Sequence, residues 1–294
     1  MDRDLASLVP ALERAVEHMV GEDCPPRLAL AVRHAVLSGG GRLRPRLLMA
    51  VARAAGPASP CLAEVAVAIE LVHCASLVHD DLPCFDDAAL RRGVPSVQAA
   101  HGEATAVLVG DALIFAAFET LACLDDARLS SALARVLARA GGSPRGMTAG
   151  QAWEGEPRID LERYHRAKTA SLFEAATAAG GLIAGDDPDR WRPLGARFGE
   201  AYQILDDVRD AGASSVRIGK PIGQDAALHR PNAVHLLGLD EALGRLEESR
   251  RSIVAAVPCC PGREQLRHFL DKLLGRLIPQ AVDKPAVEQA AGEA

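Results

Sequence analysis

Aromatic side chains are scarce in this chain of 294 residues: they make up 3% of the sequence, whereas hydrophobic residues make up 49%. The strands of β-sandwiches and barrels are rich in aromatic and β-branched residues, but much of the hydrophobic content here is alanine and leucine. This composition argues against an all-β protein and favours packed helices. We therefore expect an all-α fold, with one domain over residues 1–294 and a flexible tail at residues 285–294.

Several other signals are absent as well. The formal net charge is −6, so there is no excess of positive charge that would favour nucleic acid as a partner. No stretch of about 18 apolar residues is free of charge, and no transmembrane segment is expected. The N-terminus has no apolar core of a signal peptide, and the seven cysteines do not have the paired spacing of zinc sites. We expect a cytoplasmic protein whose cysteines are packing residues.

Helical patterns recur along the chain. The segment at residues 62–79 is apolar on nearly every face, as expected for a helix at the centre of a bundle. Similar patterns, separated by glycine and proline, predict helices at residues 104–124, 127–140, 161–184, 191–213 and 261–279.

Two acidic clusters lie within these apolar surroundings. They consist of Asp80, Asp81 and Asp86 in the first cluster, and of Asp206, Asp207 and Asp210 in the second. Ionised carboxylates are costly to remove from water unless cations compensate them, and hard divalent ions such as Mg²⁺ prefer oxygen ligands. Either cluster alone is equally compatible with a solvated helix end or an N-cap. The two together predict bound Mg²⁺, which in turn indicates a phosphate-bearing substrate.

The spacing of the second cluster is simple. Asp206 and Asp210 are one helical turn apart and share a face, with Gln203 one turn earlier. That face is able to hold metal ions.

The first cluster needs a break in its helix. In an unbroken helix Asp80 and Asp86 would point about 120° apart. Pro83 disfavours a helix at the residue before it and has no amide donor. The helix is therefore expected to end near Asp81 and to return Asp86 towards the same ions.

Basic residues occur in several segments before and after the two acidic clusters. Adjacent residues of a helix do not share a face, so the guanidinium groups of Arg91 and Arg92 could serve two different anions. The loop Gly39–Gly41 is followed by three arginines, which could hold a second phosphate group, although by itself a basic loop is the simpler interpretation. Further cations are supplied by Lys168, next to Thr169, and by Lys220.

Together these motifs resemble those of the trans-isoprenyl diphosphate synthases, or polyprenyl synthetases, from about residue 30 to about residue 240. The resemblance implies a helical bundle around a deep central cavity, usually in a homodimer, with both acidic clusters at the cavity mouth. It also implies that an allylic diphosphate ionises with the help of Mg²⁺ and that the double bond of isopentenyl diphosphate attacks the resulting cation. No protein nucleophile is then needed.

The resemblance assigns roles to individual residues. Those implied in catalysis are Asp80, Asp81, Asp86, Lys168, Gln203, Asp206, Asp207 and Lys220. Three Mg²⁺ ions on the allylic diphosphate would be held by Asp80, Asp81, Asp86, Asp206 and Asp210. Substrate contacts on the allylic side would come from Arg91, Lys168, Thr169, Gln203 and Lys220. The subsite for isopentenyl diphosphate would contain Gly41, Arg44, His73 and Arg92.

The resemblance links the chain length of the prenyl product to one residue position. In short-chain members with this aspartate spacing, a bulky aromatic residue five positions before the first aspartate closes the pocket at fifteen carbons. Here that position is Ala75, followed by Ser76, and five residues span about 7.5 Å of helix. We therefore predict geranylgeranyl diphosphate, with twenty carbons, and keep farnesyl diphosphate as the alternative. In that alternative Ala75 is ordinary packing, and Phe115 or Phe118 forms the floor of the pocket.

The chain resembles most the bacterial carotenoid-pathway branch of geranylgeranyl diphosphate synthases, through residues 150–154, 164–169 and 230–234. It departs from the usual pattern at Gly41, where most members have lysine, and at Arg230, which replaces a second lysine. The first departure predicts weaker binding of isopentenyl diphosphate. A class I terpene cyclase and a non-catalytic partner subunit remain further alternatives, but the second acidic cluster argues against the former and the intact aspartates against the latter.

Overall fold

The computed structural model describes residues 3–57, 59–158, 160–212, 234 and 237–278. These residues form a bundle of helices with one short hairpin, which confirms the predicted all-α class. The α-helices are α1 (Arg3–Met19), α2 (Pro26–Leu37), α3 (Leu43–Ala55), α4 (Leu62–Asp80), α5 (Val97–His101), α6 (Glu103–Ala122), α7 (Ala127–Gly141), α8 (Met147–Trp153), α9 (Leu161–His165), α10 (Ser171–Ile183), α11 (Arg192–Gly212), α12 (Leu239–Ala255) and α13 (Arg263–Leu277). The tail predicted at residues 285–294 lies outside the described residues, and the single domain stays a prediction.

Helix α4 is the centre of the bundle, as its uniformly apolar sequence predicts. It packs against α1, α3, α6 and α10, and most of its residues are buried. The contact with α6 is close because Gly110 has no side chain: a Cβ at Gly110 would overlap the imidazole of His79. The last turn of α4, which leads into the first acidic cluster, is therefore fixed by α6.

A second core lies between α3, α10, α11, α12 and α13. Its largest fully buried side chains are Phe173, Trp191 and Phe198, and each contributes about 1.5–3 kcal/mol through removal of its surface from water. α11 also closely approaches the residues just before α10, because a Cβ at Gly199 would overlap Ala170. This packing places α11, which carries the second acidic cluster, beside the segment around Lys168.

The predicted helix at residues 161–184 is interrupted. A π-helix at Arg166–Ala170 separates α9 from α10. Single π turns occur often at functional sites, where the wider turn changes the direction of a side chain. Here the π-helix contains Lys168 and Thr169, so the interruption lies at a position that the sequence had singled out.

Arg91 and Arg92 do not belong to a helix, which corrects the expectation from sequence. Strands β1 (Leu90–Arg91) and β2 (Val94–Pro95) form an antiparallel hairpin in which Leu90 is paired with Pro95. Its two-residue turn is Arg92–Gly93, with φ of 57° and 81°, and positive φ at both central residues is typical of a type I′ turn. The two arginines still point to different partners, because one lies on a strand and the other in the turn.

Two helices, α4 and α6, are long and apolar enough to cross a membrane by length and composition alone. In α4, 61% of the apolar stretch is buried within the bundle, as in core helices of soluble proteins, whereas in α6 the buried share is 39%. Two such helices are weak evidence for a membrane span.

Candidate active site

The first acidic cluster begins where α4 ends. Asp80 is the last residue of α4 and Asp81 caps it, so the helix stops before Pro83 as predicted. The chain then folds back, and the backbone N–H of Asp86 donates to the carbonyl oxygen of Asp80 at 2.9 Å. The break brings Asp86 back beside Asp80, as the spacing around Pro83 predicts.

The cations that contact the first acidic cluster do not fully offset the effect of burial on its carboxylates. Asp81 is only 2% exposed and accepts hydrogen bonds from the guanidinium of Arg91, with Nε at 2.9 Å from Oδ1. Burial raises the pKa of Asp81, and the contact with Arg91 only partly opposes it. Burial also raises the pKa of Asp80, with the charge of Lys168 acting against this and that of Asp86 adding to it. More positive charge would stabilise the ionised cluster.

Lys168 and Thr169 connect the two acidic clusters. The ammonium Nζ of Lys168 lies 3.5 Å from Oδ1 of Asp80. The hydroxyl of Thr169 donates to Oε1 of Gln203 at 2.7 Å, and the amide of Gln203 donates in turn to Oδ1 of Asp207 at 2.9 Å. Two adjacent residues of the π-helix thus join the end of α4 to the middle of α11.

The second cluster stays within a continuous helix. Asp206 and Asp207 both lie in α11, but Asp207 is buried, whereas Asp206 is partly exposed. Asp207 is therefore the partner of Gln203 inside the bundle, and Asp206 has access to a ligand. The side chain of Asp210 and the whole of Lys220 lie outside the described residues.

Arg44 and His73 form the centre of a basic group. Arg44 is buried against the ring of Phe173, with the guanidinium carbon 4.4 Å from the ring centroid, and its Nε has no hydrogen-bond partner within the described residues. Its Nη1 lies 3.3 Å from Nε2 of His73. Because arginine has only donors, Nε2 of His73 must be the acceptor. Burial, together with the charge of Arg44, lowers the pKa of His73 well below its usual value and keeps the ring neutral.

Arg92 completes the basic group beside the glycine loop. Its guanidinium donates to the carbonyl oxygen of Gly39 and lies where a Cβ of Gly40 would be, which explains the need for glycine there. The charge of Arg92 acts on both Arg44 and His73. We call Gly39–Gly41, Arg44, His73 and Arg92 the basic side. We call Arg91, Lys168, Gln203 and the aspartates of both clusters the acidic side.

The positions predicted to set product length are not equivalent. Ala75 is buried on α4, and Ser76 next to it donates to the carbonyl oxygen of His73. Phe118 packs against the core, but the side chain of Phe115 is 75% exposed on α6. Phe115 therefore does not line the interior of a single chain, which leaves Phe118 as the aromatic candidate for the floor.

One functional contact escaped the sequence reasoning. The carboxylate of Glu154 lies 2.5 Å from the ammonium of Lys168 and accepts from the hydroxyl of Tyr164 at 2.6 Å. Glu154 and Tyr164 lie in the segments 150–154 and 164–169, which carry the resemblance to the carotenoid-pathway enzymes, but nothing in the sequence indicated that the two side chains meet at Lys168.

The acidic side fits magnesium bound together with a diphosphate. Among the described residues no group of three or more His, Cys, Asp or Glu side chains could hold an ion by itself. Mg²⁺, however, keeps several waters and is commonly bound by one or two carboxylates plus substrate phosphates. Carboxylates that are largely shielded from water and lack sufficient positive charge, such as Asp80 and Asp81, are suited to that arrangement.

Known proteins resemble this chain over most of its length. The geranylgeranyl diphosphate synthase of Cereibacter sphaeroides is 46% identical over 275 residues, which cover 92% of this chain and 96% of that protein. The enzyme of the same name from Rhodobacter capsulatus is 45% identical and covers 93% of this chain and 96% of its own length. A farnesyl diphosphate synthase from Geobacillus stearothermophilus is 39% identical, with 80% of this chain and 82% of that protein covered.

Solved structures agree with the fold. A geranyltransferase from Helicobacter pylori, complexed with magnesium and isoprenyl diphosphate, superposes with a TM-score of 0.79 at 30% identity and covers 94% of this chain and 99% of its own. A polyprenyl synthase from Caulobacter crescentus, complexed with calcium and isoprenyl diphosphate, has the same TM-score of 0.79 at 25% identity, with 92% and 95% covered. The model of the polyprenyl synthetase family matches residues 25–256. The resemblance inferred from the motifs is thereby confirmed, and the chain belongs to the polyprenyl synthetase family of prenyltransferases.

Proposed function

We propose that this enzyme condenses isopentenyl diphosphate with allylic diphosphates and releases mainly geranylgeranyl diphosphate. The observation that carries the proposal is the link through Lys168 and Thr169, because it holds the two acidic clusters on one side of the same site. The names of the relatives from Cereibacter and Rhodobacter support the product.

The acidic side binds the allylic diphosphate. Asp80, Asp86 and Asp206 would hold Mg²⁺, which when bound supplies positive charge to the departing pyrophosphate. Lys168 adds a charge at the same position, and Arg91 donates to Asp81 and partly offsets its burial at the end of α4. These groups favour breakage of the carbon–oxygen bond because they stabilise the charge that develops on the leaving group.

The basic side binds isopentenyl diphosphate. Arg44 and Arg92 offer guanidinium donors to its diphosphate, and neutral His73 orients Arg44. Binding there brings the double bond next to the allylic carbon, and proximity of this kind replaces a protein nucleophile. The double bond forms the new carbon–carbon bond, and loss of a proton, which we assign to the pyrophosphate as acceptor, completes the reaction.

Ala75 should determine chain length. It is buried on α4, about 7.5 Å along the helix from Asp80, and a small side chain leaves space for further isoprene units. Ala75→Phe should shift the main product from twenty to fifteen carbons, as measured by chromatography of the dephosphorylated products. Ala138→Phe is the matched control, since Ala138 is exposed on α7. Unchanged products from Ala75→Phe would contradict the assignment.

We further propose a homodimer in the cytoplasm. Leu108 and Phe115, which are 58% and 75% exposed, lie on one side of α6 and offer an apolar surface to a second copy. All seven cysteines are free thiols, which suits a reducing compartment. Sedimentation should show a dimer, and Phe115→Asp should shift it towards monomer. Assignment to a carotenoid pathway rests on the sequence resemblance and on the relatives.

One product assay separates the candidate functions. The purified protein is incubated with Mg²⁺, isopentenyl diphosphate and, in turn, dimethylallyl, geranyl and farnesyl diphosphate. We expect linear diphosphates ending at twenty carbons. Farnesyl diphosphate as the end product would support the alternative of a farnesyl synthase, cyclic hydrocarbons would indicate a terpene cyclase, and no conversion would indicate a non-catalytic subunit.

A further inference from the structure

Lys168 has a second carboxylate partner besides Asp80. Its Nζ is 2.5 Å from Oε1 of Glu154 but 3.5 Å from Oδ1 of Asp80, so Glu154 makes the closer contact. Both carboxylates are largely shielded from solvent, with side-chain exposures of 13% for Glu154 and 18% for Asp80. The ammonium of Lys168 therefore lies between Asp80, a carboxylate of the acidic side, and Glu154, which has no role in the mechanism described above.

Glu154 is itself held in place by two other donors. The hydroxyl of buried Tyr164 donates to Oε1 at 2.6 Å, and the amide of Gln151 donates to Oε2 at 2.8 Å. These donors come from different elements, because Gln151 lies in α8 and Tyr164 in α9. A carboxylate bound through both oxygens has a defined orientation, unlike the solvated end of a surface glutamate.

The backbone around Lys168 is equally restricted. A Cβ at Gly150, in α8, would overlap the backbone of Lys168, so α8 packs directly on the π-helix. Glu154, at the end of α8, contacts the ammonium of Lys168, while Gly150 lies against the backbone of the same lysine. The backbone and the ammonium of Lys168 are thus both positioned by this segment.

We propose that Glu154 is a positioning residue that fixes the ammonium of Lys168 for the departing diphosphate. The inference rests on the proposed function, in which Lys168 faces that group. Lysine is a point charge on a flexible chain, so it loses entropy when it must meet a developing charge at one position. An ammonium has three donors: one is used by Glu154 and another faces Asp80, which leaves donor capacity for a diphosphate oxygen. A prepositioned charge of this kind acts in the transition state.

The role predicts a particular kinetic signature. Glu154→Gln keeps the shape and an acceptor for Tyr164 but removes the charge that holds Lys168. The rate constant for the bound reactants should fall about tenfold to a hundredfold, because displacement of a catalytic charge by about an ångström has effects of that size. The KM for the allylic diphosphate should not rise, since a negative charge near that substrate is also removed.

The experiment measures single-turnover rates and the allylic KM for the wild type and three variants of the network: Glu154→Gln, Glu154→Asp and Tyr164→Phe. Glu154→Asp restores the charge and should recover part of the rate, and Tyr164→Phe should lose a smaller part. Glu174→Gln is the matched control, because Glu174 pairs with Arg166 of the same π-helix instead of with Lys168. Melting curves check that each variant folds, and Tyr164→Phe tests the network should Glu154→Gln fail to fold.

A double-mutant cycle decides whether Glu154 acts through Lys168. Glu154→Gln should have almost no further effect in a Lys168→Ala background. An equal loss in both backgrounds would overturn the proposal, as would a Glu154→Gln enzyme with an unchanged rate and a lower KM, which would make Glu154 merely a competitor of the substrate. Failure of the proposed function is a separate result, because the wild-type enzyme would then form no prenyl product at all.

Discussion

The acidic and basic sides of the site differ in how far the protein neutralises its own charges. On the acidic side, carboxylates already contact cations, as Asp81 contacts Arg91 and Asp80 contacts Lys168. On the basic side, Arg44 donates to the neutral imidazole of His73 and packs against the ring of Phe173, and Arg92 donates to a backbone carbonyl oxygen. Neither of these arginines forms an ion pair within the residues that the structure describes.

The direction of the pKa shifts shows the same contrast. Burial raises the pKa of Asp80 and Asp81, so the acidic side lacks positive charge despite its two cations. Burial lowers the pKa of His73 and of Arg44, so the basic side lacks negative charge. The first side is thus prepared for metal ions and the second for an anion. Substitutions on the acidic side should lower kcat, whereas substitutions on the basic side should alter the KM for isopentenyl diphosphate.

The largest effect is expected from removal of a metal ligand on the acidic side. Asp80→Ala or Asp206→Ala should reduce turnover by about a thousandfold or more, because metal ions supply several kcal/mol of charge stabilisation to the leaving group. Folding should be largely intact, since both carboxylates are partly exposed at the site. Steady-state kinetics with melting curves test this, with exposed Asp125→Ala as the control. Unchanged turnover in either variant would refute that residue's role.

A smaller loss should follow when the acidic side keeps its charges but is distorted. A Cβ at Gly150 would overlap the backbone of Lys168, so Gly150→Ala should displace the π-helix and lower kcat about a hundredfold. Gly155→Ala is the matched control in the same region, because its Cβ would only touch the carbonyl oxygen of Ala152 at 3.7 Å. Comparable kcat values for the two variants would show that the position of Lys168 is unimportant.

The sequence predicts the acidic side better than the basic side because its signals are local. Pro83 ends α4 by a rule of backbone geometry, and the structure has Asp86 folded back as that rule requires. The hairpin at Arg92–Gly93 was missed because its type I′ turn was read as part of a helix. A glycine after an arginine, between short apolar segments, was the available signal.

Contacts between distant segments were beyond the reach of sequence reasoning. The bond from Thr169 to Gln203 joins residues of different helices, and no periodicity connects them. The exposure of Phe115 has the same origin, because an apolar helix such as α6 does not reveal which face meets the bundle. Tertiary packing decides both features, whereas the class of fold follows from composition and helix periodicity alone.

On the basic side, an added positive charge at position 41 should strengthen substrate binding. Gly41 has ordinary space around it, since its Cβ would meet only the side chain of Leu43 at 3.6 Å, and a lysine fits there without strain. Gly41→Lys should lower the KM for isopentenyl diphosphate about tenfold, the value of one charged hydrogen bond, and leave kcat nearly unchanged. Gly21→Lys, on the loop after α1, should change neither constant. A KM that does not fall would remove Gly41 from the subsite.

The smallest effect should be a pH dependence of stability on the basic side. Because burial and Arg44 lower the pKa of His73 below 6.5, the folded protein binds no proton there at pH values where the unfolded chain does. The contribution of His73 to the free energy of unfolding is therefore fully present above pH 6.5. It is lost as the pH falls below that value, by at most about 1.4 kcal/mol per pH unit. Urea unfolding between pH 7.5 and about pH 5 should show a shallower decline for His73→Gln than for the wild type, while the exposed His18→Gln retains the wild-type slope. Equal slopes for all three proteins would mean that His73 carries a proton in the folded state, and the basic side would then have one cation more than the structure indicates.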